Sequence, residues 1–83
     1  MTSPLDPEAV AIGRAVRGAI ATAGLSLADA AEQSGITVTT LSRRVNGTLP
    51  FTFPELVRIA GVCDVKVSDL ALSAERIAER VAS

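Results

Sequence analysis

"AEQSGITVTTLSRRVNG", residues 31–47, contains a small residue, a glycine and two apolar residues in an order that decides the fold. Four, ten and fourteen positions after Ala31 stand Gly35, Leu41 and Val45. A small residue lets two helices touch, a glycine allows the tight turn between them, and apolar residues hold the second helix from behind. The spacing therefore predicts two helices that cross at a steep angle, with the outer face of the second one free to enter a groove.

Capping residues and helix-ending residues extend this pattern to five helices. The helices are expected at about 7–23, 27–34, 38–46, 53–63 and 69–82. Each is preceded by a polar residue whose side chain can accept from a free backbone N–H: Asp6, Ser26, Thr37, Thr52 and Ser68. The first four are followed by residues suited to a left-handed turn: Gly24, Gly35, Gly47 and Asp64. The sequence thus predicts an all-α fold and a single domain spanning residues 1–83.

Apolar residues recur at helical spacing along each predicted helix and form the expected core. On the last helix we expect Leu70 to close this core, whereas Ile77 and Val81 are assigned to a homodimer interface. A core role for the whole stripe stays open at this stage. In the first helix, Gly13 and Gly18 each weaken the helix, and whether they allow close packing also stays open.

The composition argues against catalysis and against metal binding. The chain has no His, Tyr or Trp and a single Cys, so the usual metal ligands and nucleophile–base combinations are missing. We therefore predict no enzyme activity, no metal and no cofactor. Cys63 lies on the apolar stripe of the fourth helix, which favours a buried structural thiol over a redox switch.

Residues 25–65, "LSLADAAEQSGITVTTLSRRVNGTLPFTFPELVRIAGVCDV", resemble the lambda-repressor-like (Cro/repressor, XRE-type) helix-turn-helix family. The resemblance is carried by Ala31, Gly35, Thr37, "LS" at 41–42, "NG" at 46–47 and "ELVRIA" at 55–60. The five-helix layout extends it over nearly the whole chain. It implies a compact five-helix lambda-repressor-like domain that binds duplex DNA, with helix 38–46 in the major groove.

The resemblance also implies which residues meet the DNA. Val38, Thr39 and Arg43 fall where the family contacts base edges, while Asn46 and the start of the second helix fall where it holds phosphates. The residue chemistry agrees, because arginine pairs with guanine O6 and N7, methyl groups pack on thymine, and hydroxyls donate to phosphate. The expected DNA-binding residues are Ser26, Thr37, Val38, Thr39, Thr40, Ser42, Arg43, Arg44, Asn46 and Thr48.

Some of these positions have more than one interpretation. Val38 shares a helix face with Val45, so it belongs either to the core or to the groove contact. Arg44 stands where the family often has an apolar residue, and its side chain is expected to reach a phosphate, a base edge or only solvent. Arg14 and Arg17 are expected to be ordinary surface residues, with contact to the DNA backbone as the alternative.

Charge supports nucleic-acid binding locally rather than globally. The formal net charge is −1, yet no acid occurs from Gly35 to Pro54. We therefore expect a sequence-specific transcriptional regulator of phage or prophage repressor type. The alternative is a protein-interaction module with the same fold, such as the antitoxin of a toxin–antitoxin pair. The acidic balance favours this alternative, as does Leu27, which stands where the family often has Gln.

The location expected from the sequence is the bacterial cytoplasm, on the nucleoid. No apolar run approaches the roughly 20 residues that a membrane span needs. The start, "MTSPLDPEAV", lacks the basic and then apolar pattern of a secretory signal. A single cysteine cannot form an internal disulfide, which fits a reducing compartment. We expect no membrane partner.

Overall fold

Five α-helices and no strand make up the part of the chain that the structure describes. The computed structural model describes residues 6–82, and the side chains up to residue 80. The helices are α1 (Pro7–Thr22), α2 (Leu27–Ser34), α3 (Val38–Val45), α4 (Phe53–Cys63) and α5 (Val67–Ala82). The predicted bounds of α2 and α4 are observed. Helices α1 and α3 each end one residue earlier than predicted, at Thr22 and Val45, and the residues that follow, Ala23 and Asn46, are their C-caps.

The first four helices begin at the predicted caps because each side chain accepts from a backbone N–H that the helix leaves free. Asp6 accepts from Glu8, and Thr37 accepts from Thr40. Two starts are reciprocal capping boxes: Ser26 with Asp29 at the start of α2, and Thr52 with Glu55 at the start of α4. The caps therefore fix where the short helices α2 and α3 enter the fold.

The start of α5 differs from the prediction. Ser68 is not its N-cap, because the helix already begins at Val67. The Lys66 N–H donates to Asp69 Oδ2 at 3.0 Å, and the Leu70 N–H donates to the Lys66 carbonyl at 3.3 Å. Asp69 accepts from the free Lys66 N–H, so the helix begins at Val67, two residues earlier than predicted with Ser68 as the cap. Ser68 therefore lies in the first turn.

The core is aliphatic and takes buried side chains from all five helices. Its most deeply buried side chains are Leu41, Ile59 and Val16. Leu70 of α5 is buried in the same cluster, as predicted, and Cys63 is a buried free thiol. Burial raises the pKa of the Cys63 thiol, which keeps it protonated and unreactive. The structure thus agrees with the structural role expected for this cysteine.

Of the two α5 residues assigned to a homodimer interface, the structure describes the side chain of Ile77. Ile77 is half-buried and lines a groove of about 570 Å³ between α1 and α5. The side chain of Val81, which the sequence assigned to a homodimer interface, lies outside the described residues. Its role therefore stays a prediction.

A close approach of backbones holds α1 against the end of α3. A Cβ on Gly13 would lie 2.5 Å from the Val45 carbonyl oxygen and 2.8 Å from the Arg44 carbonyl oxygen. Only glycine allows this contact. Gly18 has no atom within 4 Å of such a Cβ, so close packing is excluded as its reason. The two glycines of α1 look equivalent in the sequence, but only Gly13 positions the candidate site.

The turns after α2 and α4 use left-handed backbone, as predicted. Gly35 has φ 75° and Asp64 has φ 57°. Within the described residues, no single helix is long and apolar enough to cross a membrane; α1 and α2 together have the length and composition, but they are bent by 99° at their break.

Candidate nucleic-acid interface

Helix α3 separates an apolar inner face from a polar outer face over only eight residues. Leu41 and Val45 are buried and anchor the helix from behind. Thr39 and Arg43 are exposed on the other side, as the sequence pattern predicted. The helix is therefore held by aliphatic packing while its polar face stays accessible to a ligand.

Val38 lies at the start of α3 with 49% of its surface exposed. This exposure excludes the interpretation in which Val38 belongs only to the core. An exposed branched aliphatic residue at the N-terminal end of this helix can pack against another apolar group, such as a thymine methyl. Its position is compatible with the groove contact that the sequence suggested.

The two threonines at the start of α3 are joined to each other. Thr37 Oγ1 accepts from the Thr40 N–H at 3.2 Å and donates to Thr40 Oγ1 at 2.9 Å. Because Thr37 spends its hydroxyl proton on this bond, the hydroxyl of Thr40 is the one whose proton is left for an outside acceptor. From the sequence, Thr37 is expected to donate to a phosphate and Thr40 to offer its methyl group, whereas the structure joins the two side chains by hydrogen bonds.

The remaining hydroxyl residues lie at the start of α2, on α3 and in the turn after α3. Ser26 is exposed at the start of α2, where its oxygen accepts from the Asp29 N–H at 3.0 Å. Ser42 is half-buried on α3, and Thr48 is exposed in the turn that follows. The Thr48 N–H donates to the Arg43 carbonyl at 3.0 Å, which fixes this turn against the end of α3.

Arg44 does something that none of the three sequence interpretations included. Its Nη2 donates to Glu55 Oε2 at 3.3 Å, and its Nε lies 3.1 Å from Oε1. Only 17% of the Arg44 side chain and 14% of the Glu55 side chain are exposed. The guanidinium therefore joins the end of α3 to the start of α4 within the molecule, and Glu55 neutralises its charge.

Glu55 serves two partners at once. Oε1 accepts from the Thr52 N–H at 2.8 Å as part of the capping box, while the carboxylate also faces Arg44. Burial alone raises the pKa of Glu55, but the Thr52 N–H and the Arg44 guanidinium outweigh it and hold this pKa below its ordinary value. Glu55 is thus a charged link between the two helices at neutral pH.

Arg17 makes a second cross-helix contact on the opposite side of α3. Its Nη2 donates to Oδ1 of Asn46, the residue that caps the C-terminal end of α3. Both residues are exposed. The sequence predicts Asn46 as a DNA-binding residue and Arg17 as a surface residue, with contact to the DNA backbone as the alternative for Arg17. The structure brings the two side chains together.

Two segments of the sequence hold basic residues and no acid. Residues 9–28 contain no acid, just as residues 35–54 contain none. Arg14, Arg17, Arg43 and Arg44 are the only charged residues in these two segments, and α1 packs directly on α3. The acid-free run in α1 is a signal in the sequence that would have pointed to Arg17. We call the surface formed by the outer face of α3 with Arg17 the basic face.

Nothing among the described residues suggests a metal centre. No group of three or more His, Cys, Asp or Glu side chains that could hold an ion occurs there. The chemistry that the basic face offers is hydrogen-bond donation from guanidinium, amide and hydroxyl groups, together with two exposed methyl-bearing side chains on α3. Such a surface suits an anionic polymer with apolar spots between its charges.

Comparisons with known proteins agree with this geometry. A family model described as "Helix-turn-helix" matches residues 17–70, from the second half of α1 to the start of α5. A crystal structure of the clp gene regulator ClgR from Corynebacterium glutamicum superposes with a TM-score of 0.83 at 23% identity, covering 96% of this chain and 85% of that chain. Another ClgR structure gives a TM-score of 0.79 at 26% identity, covering 88% and 92%. No match was found among curated proteins.

Proposed function

This chain belongs to the helix-turn-helix family, and from that membership we propose that it is a sequence-specific regulator of transcription that places α3 in the major groove of duplex DNA. The resemblance to the lambda-repressor-like type and the all-α five-helix fold are both confirmed. Family and structural neighbours together support a DNA-binding transcriptional regulator. The residues and the mode of binding are our proposal.

The observation that carries the proposal is the outer face of α3. Val38, Thr39 and Arg43 are exposed together on a helix whose other face is buried, and no acid lies nearby in the sequence. Arg43 donates to O6 and N7 of one guanine, the commonest specific contact of proteins in the major groove. The methyl groups of Val38 and Thr39 pack on a neighbouring thymine. Thr40 adds its methyl group or its hydroxyl at the same edge.

Phosphate contacts orient α3 in the groove. The hydroxyls of Ser26, Ser42 and Thr48, together with free N–H groups at the starts of α2 and α3, donate to the phosphate oxygens of the two strands. Thr37 takes part through Thr40, to which it donates its own proton. Asn46 belongs to this set at the other end of α3. Arg44 contributes indirectly, because its guanidinium is held by Glu55 and fixes the end of α3.

The regulator acts as a homodimer in this proposal, with α5 as the interface. Leu72 is a large apolar residue of α5 with nearly half its surface exposed, and Ile77 is only half-buried. A two-fold dimer then binds an inverted repeat with half-sites about 34 Å apart. Sedimentation at micromolar concentration, with and without the selected duplex, should show two chains per site; one chain on an asymmetric site would contradict the dimer.

The decisive experiment is selection of binding sites from random duplexes at physiological salt. We expect one enriched motif containing a guanine that is lost when the selection is repeated with Arg43→Ala. A selection that enriches no motif would contradict sequence-specific regulation.

The finer assignments, a repressor of phage or prophage type in the bacterial cytoplasm, are supported by the family resemblance. Comparing the position of the selected site with neighbouring promoters tests whether the protein represses them.

A protein-interaction role is the second candidate, and one observation favours it. Phe53 has 66% of its surface exposed and Val57, one helical turn further along α4, has 48%. Two exposed apolar residues on one face of α4 suit a protein partner, such as the toxin of a toxin–antitoxin pair. A toxin-like reading frame beside the gene, together with a failed site selection, would favour this candidate over the first.

A further inference from the structure

Arg17 and Asn46 form a polar pair at the point where α1 meets the end of α3. The Arg17 guanidinium donates to Asn46 Oδ1 across 29 positions of the chain. The backbones are held together beside this pair, because a Cβ on Gly13 would overlap the Val45 carbonyl. The pair therefore lies beside a close backbone contact between α1 and the end of α3.

The hydrogen bond between Arg17 and Asn46 occupies an acceptor and leaves N–H donors on both side chains. One lone pair of Asn46 Oδ1 accepts from Arg17, and both N–H groups of the amide remain as donors. A guanidinium carries five N–H donors, and this bond uses one of them. An exposed pair that presents several donors and a positive charge suits an anion.

The charge of Arg17 is not neutralised by its partner. Arg44, on the other side of α3, faces the carboxylate of Glu55, whereas Arg17 faces a neutral amide. A shallow depression of about 310 Å³ lies at the pair, lined by Val10, Arg14, Arg17, Val45 and Asn46, none of them acidic. Arg14 also borders the α1–α5 groove, where Asp64 and Asp69 lie, so we rest the inference on Arg17 rather than on Arg14.

We infer that Arg17 and Asn46 together form a phosphate clamp, which grips one phosphodiester of the DNA backbone beside the major groove occupied by α3. The inference rests on the proposed function. It extends the DNA contact from the helix-turn-helix onto α1. The pair contacts only the backbone, so it raises affinity for every sequence equally and adds nothing to base preference.

The test uses a mixed-sequence duplex, because a backbone contact does not need the operator. Affinity is measured by fluorescence anisotropy at several salt concentrations from about 50 mM upward. Arg17→Gln should weaken binding and lower the slope of log K against log salt by about one. Arg17→Lys keeps the charge and should keep most of that slope. Arg58→Gln removes an exposed arginine of α4, outside both acid-free segments, and should leave the slope unchanged.

Asn46→Asp separates a phosphate clamp from a simple strut between helices. Aspartate keeps an oxygen acceptor for Arg17 and adds a charge attraction, so a strut is retained. The same carboxylate repels a phosphate, and we expect binding at about 50 mM salt to fall by about tenfold. Thermal unfolding of each variant, followed by circular dichroism, shows that the fold is intact at the temperature of the binding measurement.

The outcomes distinguish the clamp from the proposed function. If the parent binds mixed-sequence duplex, and Arg17→Gln and Asn46→Asp bind as it does, the pair is only a strut and the inference is wrong. If both variants weaken binding but site selection finds no motif, the clamp stands and sequence-specific regulation fails. If the parent binds no duplex at low salt, both are overturned.

Discussion

Arg43 and Arg44 are neighbours in the sequence, yet the structure gives them different tasks. Arg43 is exposed on the outer face of α3, while Arg44 is paired with Glu55. We predict that Arg43→Ala costs about 1–3 kcal/mol at the selected site and relaxes the preference at one base pair. Competition binding against single-base variants of that site measures both effects. An unchanged preference would show that α3 meets the DNA by another face.

Replacing Arg44 is not expected to change the salt dependence of DNA binding as the loss of a phosphate contact would. From the sequence alone, Arg44→Ala should weaken binding to all sequences and flatten the salt slope. Because Glu55 already neutralises this guanidinium, we now expect the double variant Arg44→Met with Glu55→Gln, which removes both charges together, to leave the salt slope unchanged. Methionine restores the apolar character that the family often has at this position. A slope lower by about one would return Arg44 to the phosphate contacts.

The ionisation of Glu55 makes the free energy of unfolding decrease as the pH falls. Its pKa is lowered in the folded chain from an ordinary value of 4.5, so the charged form is favoured by folding. Its contribution is fully present above pH 4.5 and is lost as the pH falls through the lower folded-state pKa. We therefore expect the free energy of unfolding of the parent to fall more steeply below pH 4.5 than that of Glu55→Gln. Urea unfolding at a series of pH values measures the difference; parallel curves would contradict the link.

The junction of α1 with α3 is tested by two glycines of the same helix. A Cβ at Gly13 would lie 2.5 Å from the Val45 oxygen, whereas a Cβ at Gly18 would meet no atom within 4 Å. Gly13→Ala should therefore destabilise the fold by about 1–3 kcal/mol through overpacking. Gly18→Ala should stabilise it by about 0.5–1 kcal/mol, because alanine favours a helix. Chemical unfolding of the two variants measures the change in the free energy of unfolding. Changes of the same sign would contradict the close contact at Gly13.

Helix starts were predictable from the sequence to the extent that one local interaction sets them. Ser26 and Thr52 each have an acid three residues later, and the reciprocal bonds form as predicted. At α5 two local signals compete, since Asp69 can cap from within the helix while Ser68 looks like a cap, and the sequence alone favoured the wrong one. Local patterns thus define most elements but do not rank competing caps.

The candidate site was predictable where it depends on one helix and not where it depends on two. The outer face of α3 follows from helical spacing, so Thr39 and Arg43 were placed correctly on the accessible side. The partners of Arg44 and Arg17 come from α4 and from the end of α3. Contacts between helices depend on the angles and distances at which the helices cross, and local sequence patterns do not predict these. Only the acid-free run of α1 hinted at the second contact.

The whole molecule carries its charges in two unequal parts. The formal net charge of −1 reflects nine acids against eight basic residues. All nine acids lie outside the two acid-free segments, which hold four of the basic residues. Helix α5, which packs on α1 and α4, carries several of these acids. Salt screens charges beyond about 8 Å at physiological ionic strength, so those acids of α5 that lie farther than this from a ligand at the basic face are expected to act weakly on it.

Changing one charge in each part tests this arrangement. Glu75→Gln raises the net charge from −1 to zero, whereas Arg17→Gln lowers it by the same amount. If total charge governed binding, the two changes would shift affinity equally and in opposite directions. Because binding depends on the charges near the phosphates, we expect Glu75→Gln to change Kd for a mixed-sequence duplex by less than about twofold at physiological salt, where screening is short-ranged. Arg17→Gln should weaken binding several times more. Comparable shifts for the two variants would show that the acids of α5 lie close to the DNA, and α5 would then need to be placed at the interface.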